Sequence, residues 1–432
     1  MEIALLLGAF VLTLAAASRS LGWGVLAVCG VGYFNGVIRA NYPGIYTSFM
    51  FDAAMLAFYV KFYGNRSRCV GVWSEPSGRF VVFLIAWPCL LSLFPANNIL
   101  VQLVALRATA WMLPMLLAAT RMTAPDLAVL ARGLAVLNLM TLAVGIYLFR
   151  NGIEALYPFN AITKIMYNSN DVAGYKFHRI PSTFLNAHAY GGTMLMTLPF
   201  LLDRAVGVGA RFVDRGLAAA GVAAAAGGLL MCGARFPLIL LALALAIAWV
   251  VSRFSAKIGI AGAVLLGSGL LVAGTSERFQ RIGTLDDTNA VANRITGSAN
   301  DAFWTLMMDY PMGAGMGSSV GTSIPFFLAE LAPEPIGLEN EYSRILVDQG
   351  WVGLGGWLAF VGWLFLRPPP PRPPAPWRLG RVLMYSLCLG SWLTAFIGTG
   401  LLSSIPGTAL LLTQMGILAA DRRPGNPKRA PA

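Results

Sequence analysis

What most limits the folds open to this chain is the length of its uncharged apolar runs. Residues 240–251, 261–273 and 401–420 hold no charged side chain. Each lies inside an apolar segment of about 18–22 residues, the length at which a helix crosses the hydrocarbon core of a bilayer. A helix satisfies its backbone donors and acceptors within one segment, which is what lipid demands. Such segments fall at about 3–17, 21–38, 46–62, 80–95, 99–119, 127–149, 186–203, 212–231, 235–252, 257–274, 341–366, 379–397 and 401–420. The sequence therefore predicts an all-α polytopic membrane protein with about 12–13 transmembrane helices. The first run has no basic segment before it and more spans after it, so it reads as a retained helix.

Charge placement gives the topology. The chain is only 12% charged, against about 25% in soluble domains. Its net charge of +12 is concentrated in short connections, around Arg66 and Arg68, Arg204 to Arg215, Arg253 to Lys257, Arg367 to Arg378, and Arg422 to Arg429. Alternation of the spans puts these on one side, which the positive-inside rule makes the cytoplasm. The charge is thus a topology signal and implies no nucleic-acid partner. Two long irregular stretches then face the other side. The predicted division is 1–149 (N-terminal helices), 150–185 (first outer loop), 186–274 (central helices), 275–340 (large outer loop), 341–420 (C-terminal helices) and 421–432 (basic tail). The five cysteines are scattered, and His178 and His188 lie ten residues apart. Neither spacing suits a metal, so none is expected.

The outer stretches hold the candidate site residues. Arg235 precedes Pro237, a residue suited to the first turn of a helix. A guanidinium at a helix N-terminus makes an anion site; the plainer alternative is an arginine snorkelling to headgroup phosphates. The large loop carries Arg281 and Arg294, then Gly313, Gly315 and Gly317, which suit a tight turn or a close backbone approach. Asn340 is a good N-cap for the helix that follows, and Glu339 and Glu341 favour its positive end. Glu341, Arg344 and Asp348 share one face and can neutralise one another. Arg107, about eight residues into its span, pairs internally or reaches a polar cavity.

Four blocks in order resemble the bacterial O-antigen ligase and O-antigen polymerase (Wzy-type) superfamily, over about residues 170–365. Arg179-Ile180-Pro181-Ser182-Thr183-Phe184-Leu185-Asn186 is similar to the family's Arg-x-x-Gly-x-Phe-x-Asn. Gly233-Ala234-Arg235-Phe236-Pro237 is similar to its Ser-Arg-Gly block. Arg294 with Pro311-Met312-Gly313-Ala314-Gly315 matches its loop arginine and Pro-x-Gly-x-Gly. Glu339-Asn340-Glu341-Tyr342, running to Asp348-Gln349-Gly350, matches its His-Asn-x-Tyr to Glu-x-Gly.

The resemblance implies a multi-pass protein of the bacterial inner membrane with its active site facing the periplasm. It implies a glycosyltransferase that takes an undecaprenyl-pyrophosphate-linked glycan donor and a glycan acceptor among membrane lipids, with no cofactor. A chain-length regulator protein is a further partner it admits. Arg235 and Arg294 occupy the positions of the essential arginines, which stabilise the pyrophosphate leaving group. Arg179, Asn186, Asn340 and Tyr342 fall in the matched blocks as substrate-binding candidates, beside Arg281 and Arg107. Glu339 stands where ligases place a histidine, and a carboxylate there can act as general base. Polymerases are more varied at this position. A polymerase is thus expected, with a ligase as the alternative and a lipid-linked glycan transporter as the alternative of another class.

Overall fold

The computed structural model describes residues 1–94, 96–168, 178–207, 210–252, a few positions between 256 and 267, 303–319, 324–332, 338, 340–366 and 377–420. The predicted span 257–274, the proline-rich run and the basic tail lie largely or wholly outside these. Among the described residues the fold is helical, with no strand. Helices α1 (Glu2–Arg19), α2 (Leu21–Asn41), α3 (Ile45–Ser48), α4 (Met50–Tyr63) and α5 (Arg66–Cys69) come first. Helices α6 (Pro76–Leu91), α7 (Ile99–Ala110), α8 (Leu113–Ala119), α9 (Ala124–Asn151) and α10 (Lys164–Asn168) follow. The second half has α11 (Ala187–Val206), α12 (Phe212–Met231), α13 (Arg235–Val251), α14 (Phe303–Asp309), α15 (Glu341–Phe365), α16 (Arg378–Leu393) and α17 (Gly407–Ala420).

Among the described residues, six helical segments are long and apolar enough to cross a membrane: α1, α2, α7 with α8, α9, α12 and α15. α6, α13 and α17 are apolar but shorter. The bundle turns an apolar surface outward: α1 leaves Leu7, Val11 and Leu12 more than half exposed. Such a surface is costly in water and suits lipid. The centre is α17, whose residues 407–419 are all buried. A helix apolar on every side belongs inside a bundle. At Gly416 an added Cβ would lie 2.2 Å from the Leu116 carbonyl oxygen, so glycine lets α17 and α8 approach.

Several predicted spans shift. The expected helix 401–420 starts only at Gly407, after a turn through Pro406. The expected 46–62 span divides into α3 and α4 around Phe49. α15 runs through residues 341–365 but is broken at Gly350, whose φ of 66° and ψ of −168° are not helical.

The helices join at two chemically different ends. At one, Asp214 pairs with Arg132 and Arg204, both at 2.9 Å. Asp126 accepts from Gly22 N at 2.9 Å, and Asp203 accepts from Gly380 N at 2.8 Å. The other end gathers the C-termini of α2 and α9 with the segment between α9 and α11. There Asn41 donates to the Leu156 carbonyl, Asn160 to the Ala40 carbonyl, and Val37 N to the Thr183 carbonyl. Within the bundle, Tyr33 Oη donates to Asn138, whose amide donates to Thr197 Oγ1, tying α2, α9 and α11 together.

Candidate functional site

Three helices begin at this second end, α11 and α13 in contact and α15 joined to them through residues 395–402. α11 is opened by Asn186, whose side chain accepts from Ala189 N at 2.7 Å. α15 is opened by Asn340, fully buried, whose side chain accepts from Ser343 N at 2.5 Å. α13 begins at Arg235 itself, after Gly233 turns the chain with a φ of 62°. Gly191 in α11 packs against Cys232 and Pro237, and Gly398 lies against the Phe236 ring. Residues 395–402 then connect to α15: Glu341 N donates to the Ala395 carbonyl, and Gly400 N donates to Glu341 Oε2 at 2.8 Å. Converging helix N-termini present partial positive charge, and Arg235 adds a full one. The arrangement favours an anion.

The segment leading into α11 is fixed from three sides. Tyr157 is fully buried, and its hydroxyl donates to the carbonyls of Ser182 at 2.6 Å and Phe184 at 2.9 Å. That burial raises its pKa well above the ordinary tyrosine value, so it stays a donor. Ser182 Oγ donates to the Thr141 carbonyl. Ser182 also holds a φ of 51°, unusual for a residue with a Cβ. Arg179 Nη1 lies 2.8 Å from His188 Nε2. A guanidinium only donates, so His188 Nε2 is the acceptor in this contact.

The start of α15 is built around a buried ion pair. Glu341 has no exposure, and Arg344 donates to it through both Nε and Nη2. Leu402 N adds a further donor. One turn on, Asp348 accepts from Ser319 N at 3.0 Å and from Ser319 Oγ at 2.6 Å. The predicted charged face is therefore real and extends to a loop serine. Tyr342 is buried, its ring 4.3 Å from that of Phe396 and its hydroxyl donating to the Trp392 carbonyl. That hydroxyl is engaged in packing α15 on α16.

The glycines of the large loop answer the break in α15. In an unbroken helix Trp351 N would donate to the Val347 carbonyl. Here Ala314 N takes that carbonyl at 2.7 Å, and Trp351 N donates instead to the Pro311 carbonyl at 2.9 Å. Loop residues 311–314 thus exchange partners with the helix and leave neither group unsatisfied. Gly313, Gly315 and Gly317 have φ of 85°, 103° and 88°. A Cβ on Gly350 would lie 2.5 Å from the Met312 carbonyl carbon. Replacing Gly350 with alanine is expected to cost at least about 1–3 kcal/mol from the backbone alone. Thermal unfolding in detergent checks this; an unchanged midpoint would show that the break tolerates a side chain.

Of the residues singled out from sequence, Arg179, Asn186, Arg235, Asn340 and Tyr342 lie on these neighbouring elements. Arg107 does not: it pairs with Asp52 at 2.6 Å and covers the Phe49 ring at 5.3 Å, among α2, α4 and α7. Arg281, Arg294 and Glu339 lie outside the described residues. Sequence reading missed Asp52, Ser319, Gly400 and the break at Gly350. Gly353, Gly355 and Gly356 follow Gly350 in the same helix, so glycine content alone did not single out the break. No protein-family model, curated protein or solved structure matches this chain.

Proposed function

We propose that this protein is a membrane glycosyltransferase that polymerises undecaprenyl-pyrophosphate-linked oligosaccharide repeat units at the periplasmic face of a bacterial inner membrane. The observation that carries the reading is Arg235 at the first position of α13, among the starts of α11 and α15. A leaving pyrophosphate needs its developing negative charge stabilised, and guanidinium groups with helix dipoles supply that without a metal. Ser182 adds support. It stands where the family block has glycine, and its φ of 51° is the conformation glycine adopts most readily.

In the proposed step, the acceptor hydroxyl oxygen bonds to the donor's anomeric carbon. The bond from that carbon to the pyrophosphate oxygen breaks, and the electron pair leaves with the lipid pyrophosphate, held by Arg235 and Arg294. The hydroxyl proton passes to Glu339. Glu339→Gln keeps size and hydrogen bonding but removes the base, so turnover should fall about 10²–10⁴-fold. Purified Glu339→Gln protein elongating lipid-linked units at the wild-type rate would reduce Glu339 to a capping charge.

Topology and function have separate tests. A cysteine placed at Ser298 should react with a membrane-impermeant thiol reagent in intact spheroplasts; labelling only after disruption would invert the topology. A strain lacking the protein should accumulate single lipid-linked repeat units. Accumulation of full-length undelivered chains would instead identify a ligase.

A further inference from the structure

The short helix α14 divides its surface three ways. Phe303, Leu306 and Met307 pack against the core. Thr305 and Asp309 are polar and exposed. Trp304 and Met308 are just as open, at 67% and 69% exposure, yet they are apolar. Residues four apart share a stripe of a helix. At about 100° per residue, the core, apolar and polar stripes lie roughly 100–130° apart around α14. A helix lying between protein and water has two faces, one apolar and one polar. The uncovered apolar stripe of α14 calls for a third medium. Met312, just beyond the helix, is exposed as well.

The neighbouring helix shows which medium that is. The Trp351 indole donates to the Met307 carbonyl at 2.7 Å, tying α14 to α15 just past the break at Gly350. From there α15 exposes Trp351, Val352, Gly355, Leu358 and Ala359 along one side. This uncharged stripe belongs to a helix long and apolar enough to span a membrane, so it faces lipid. From Trp351 to its end at Phe365, α15 advances about 21 Å, at about 1.5 Å per residue. Charge resumes at Arg367. The hydrocarbon core is about 30 Å thick, so Trp351 lies at or inside its opposite edge, and any tilt sets it deeper. We infer that α14 is an interfacial helix: Trp304, Met308 and Met312 enter the lipid, while Thr305 and Asp309 stay in water. Tryptophan suits that depth. Residues 303–312 hold no lysine or arginine, so the partner is the acyl region of phospholipid and not an anionic headgroup. Because α14 leads straight into residues 311–314, this contact also fixes the loop that fills the break in α15. The assignment holds whatever reaction the site performs.

Spin labelling of the full chain in phosphatidylcholine vesicles tests the inference. Cys69→Ser and Cys89→Ser leave only the buried Cys29, Cys232 and Cys388. Labels at Trp304→Cys and Met308→Cys should then collide with oxygen, which concentrates in lipid, in preference to a water-soluble nickel chelate. Their oxygen-to-nickel ratio should be several-fold higher than at Thr305→Cys and Asp309→Cys. Nickel-dominated collisions at 304 and 308, matching those at 305 and 309, would put the apolar stripe in water and overturn the inference. Exclusion of both reagents at 304 and 308 would mean that a second copy or another protein covers them, and would overturn it too. The unsubstituted chain gives an independent reading. Phosphatidylcholine carrying a diazirine on its acyl chain should label the peptide that holds 304–308, as it labels the exposed face of α1. Labelling of α1 without that peptide overturns the inference.

Discussion

Arg235→Lys should lower the rate of glycan transfer by about 10²–10³-fold while leaving the fold intact. Arg235 begins α13, is half-buried, and its helix packs against the start of α11 at Gly191. Lysine keeps the charge but presents it as a point on a flexible stem. The guanidinium fork can grip two phosphoryl oxygens at once. If Arg235 only snorkelled to headgroups, lysine would replace it with little loss. The comparison is made on purified proteins, with lipid-linked repeat units as both donor and acceptor. Near-wild-type elongation by Arg235→Lys would remove Arg235 from the transfer step. Arg294→Lys should behave alike, since the same role is proposed for it.

The largest stability effect is expected at Glu341. Its carboxylate is fully buried and accepts from Arg344, Gly400 N and Leu402 N. Truncation to alanine strands the Arg344 charge and two backbone donors. Breaking a buried pair from one side costs about 3–5 kcal/mol. Glu341→Ala combined with Arg344→Leu should recover part of that loss, because the double change removes the stranded guanidinium, while Asp348 keeps its hydrogen bonds from Ser319. Tryptophan fluorescence during thermal unfolding follows both proteins. A double variant no more stable than Glu341→Ala would mean that Gly400 and Leu402, and not the ion pair, dominate.

Much of the helical framework was legible because the bilayer imposes it. Uncharged runs near 20 residues can do little else, and α1, α2, α9, α12 and α15 follow them closely. The helix starts at Arg235 and Asn340 were also legible, from a proline in one first turn and an N-capping side chain in the other. What stayed hidden depends on partners distant in sequence. Nothing local to Asp52 points to Arg107, 55 positions away. The break at Gly350 is stable only because residues 311–314 occupy it, and no periodicity reports that. Tyr342, Asn186 and Asn340 read as substrate contacts by block, yet each makes a structural hydrogen bond.

The exchange of partners at Gly350 also bears on how the membrane-embedded chain is assembled. Residues 311–314 leave the ribosome before α15 does. Without them, the break would carry an unpaired carbonyl at Val347 and an unpaired N–H at Trp351 into the bilayer. Each such group costs several kcal/mol in hydrocarbon. The loop therefore serves α15 as an intramolecular template: it must be in place before the helix that closes on it is complete.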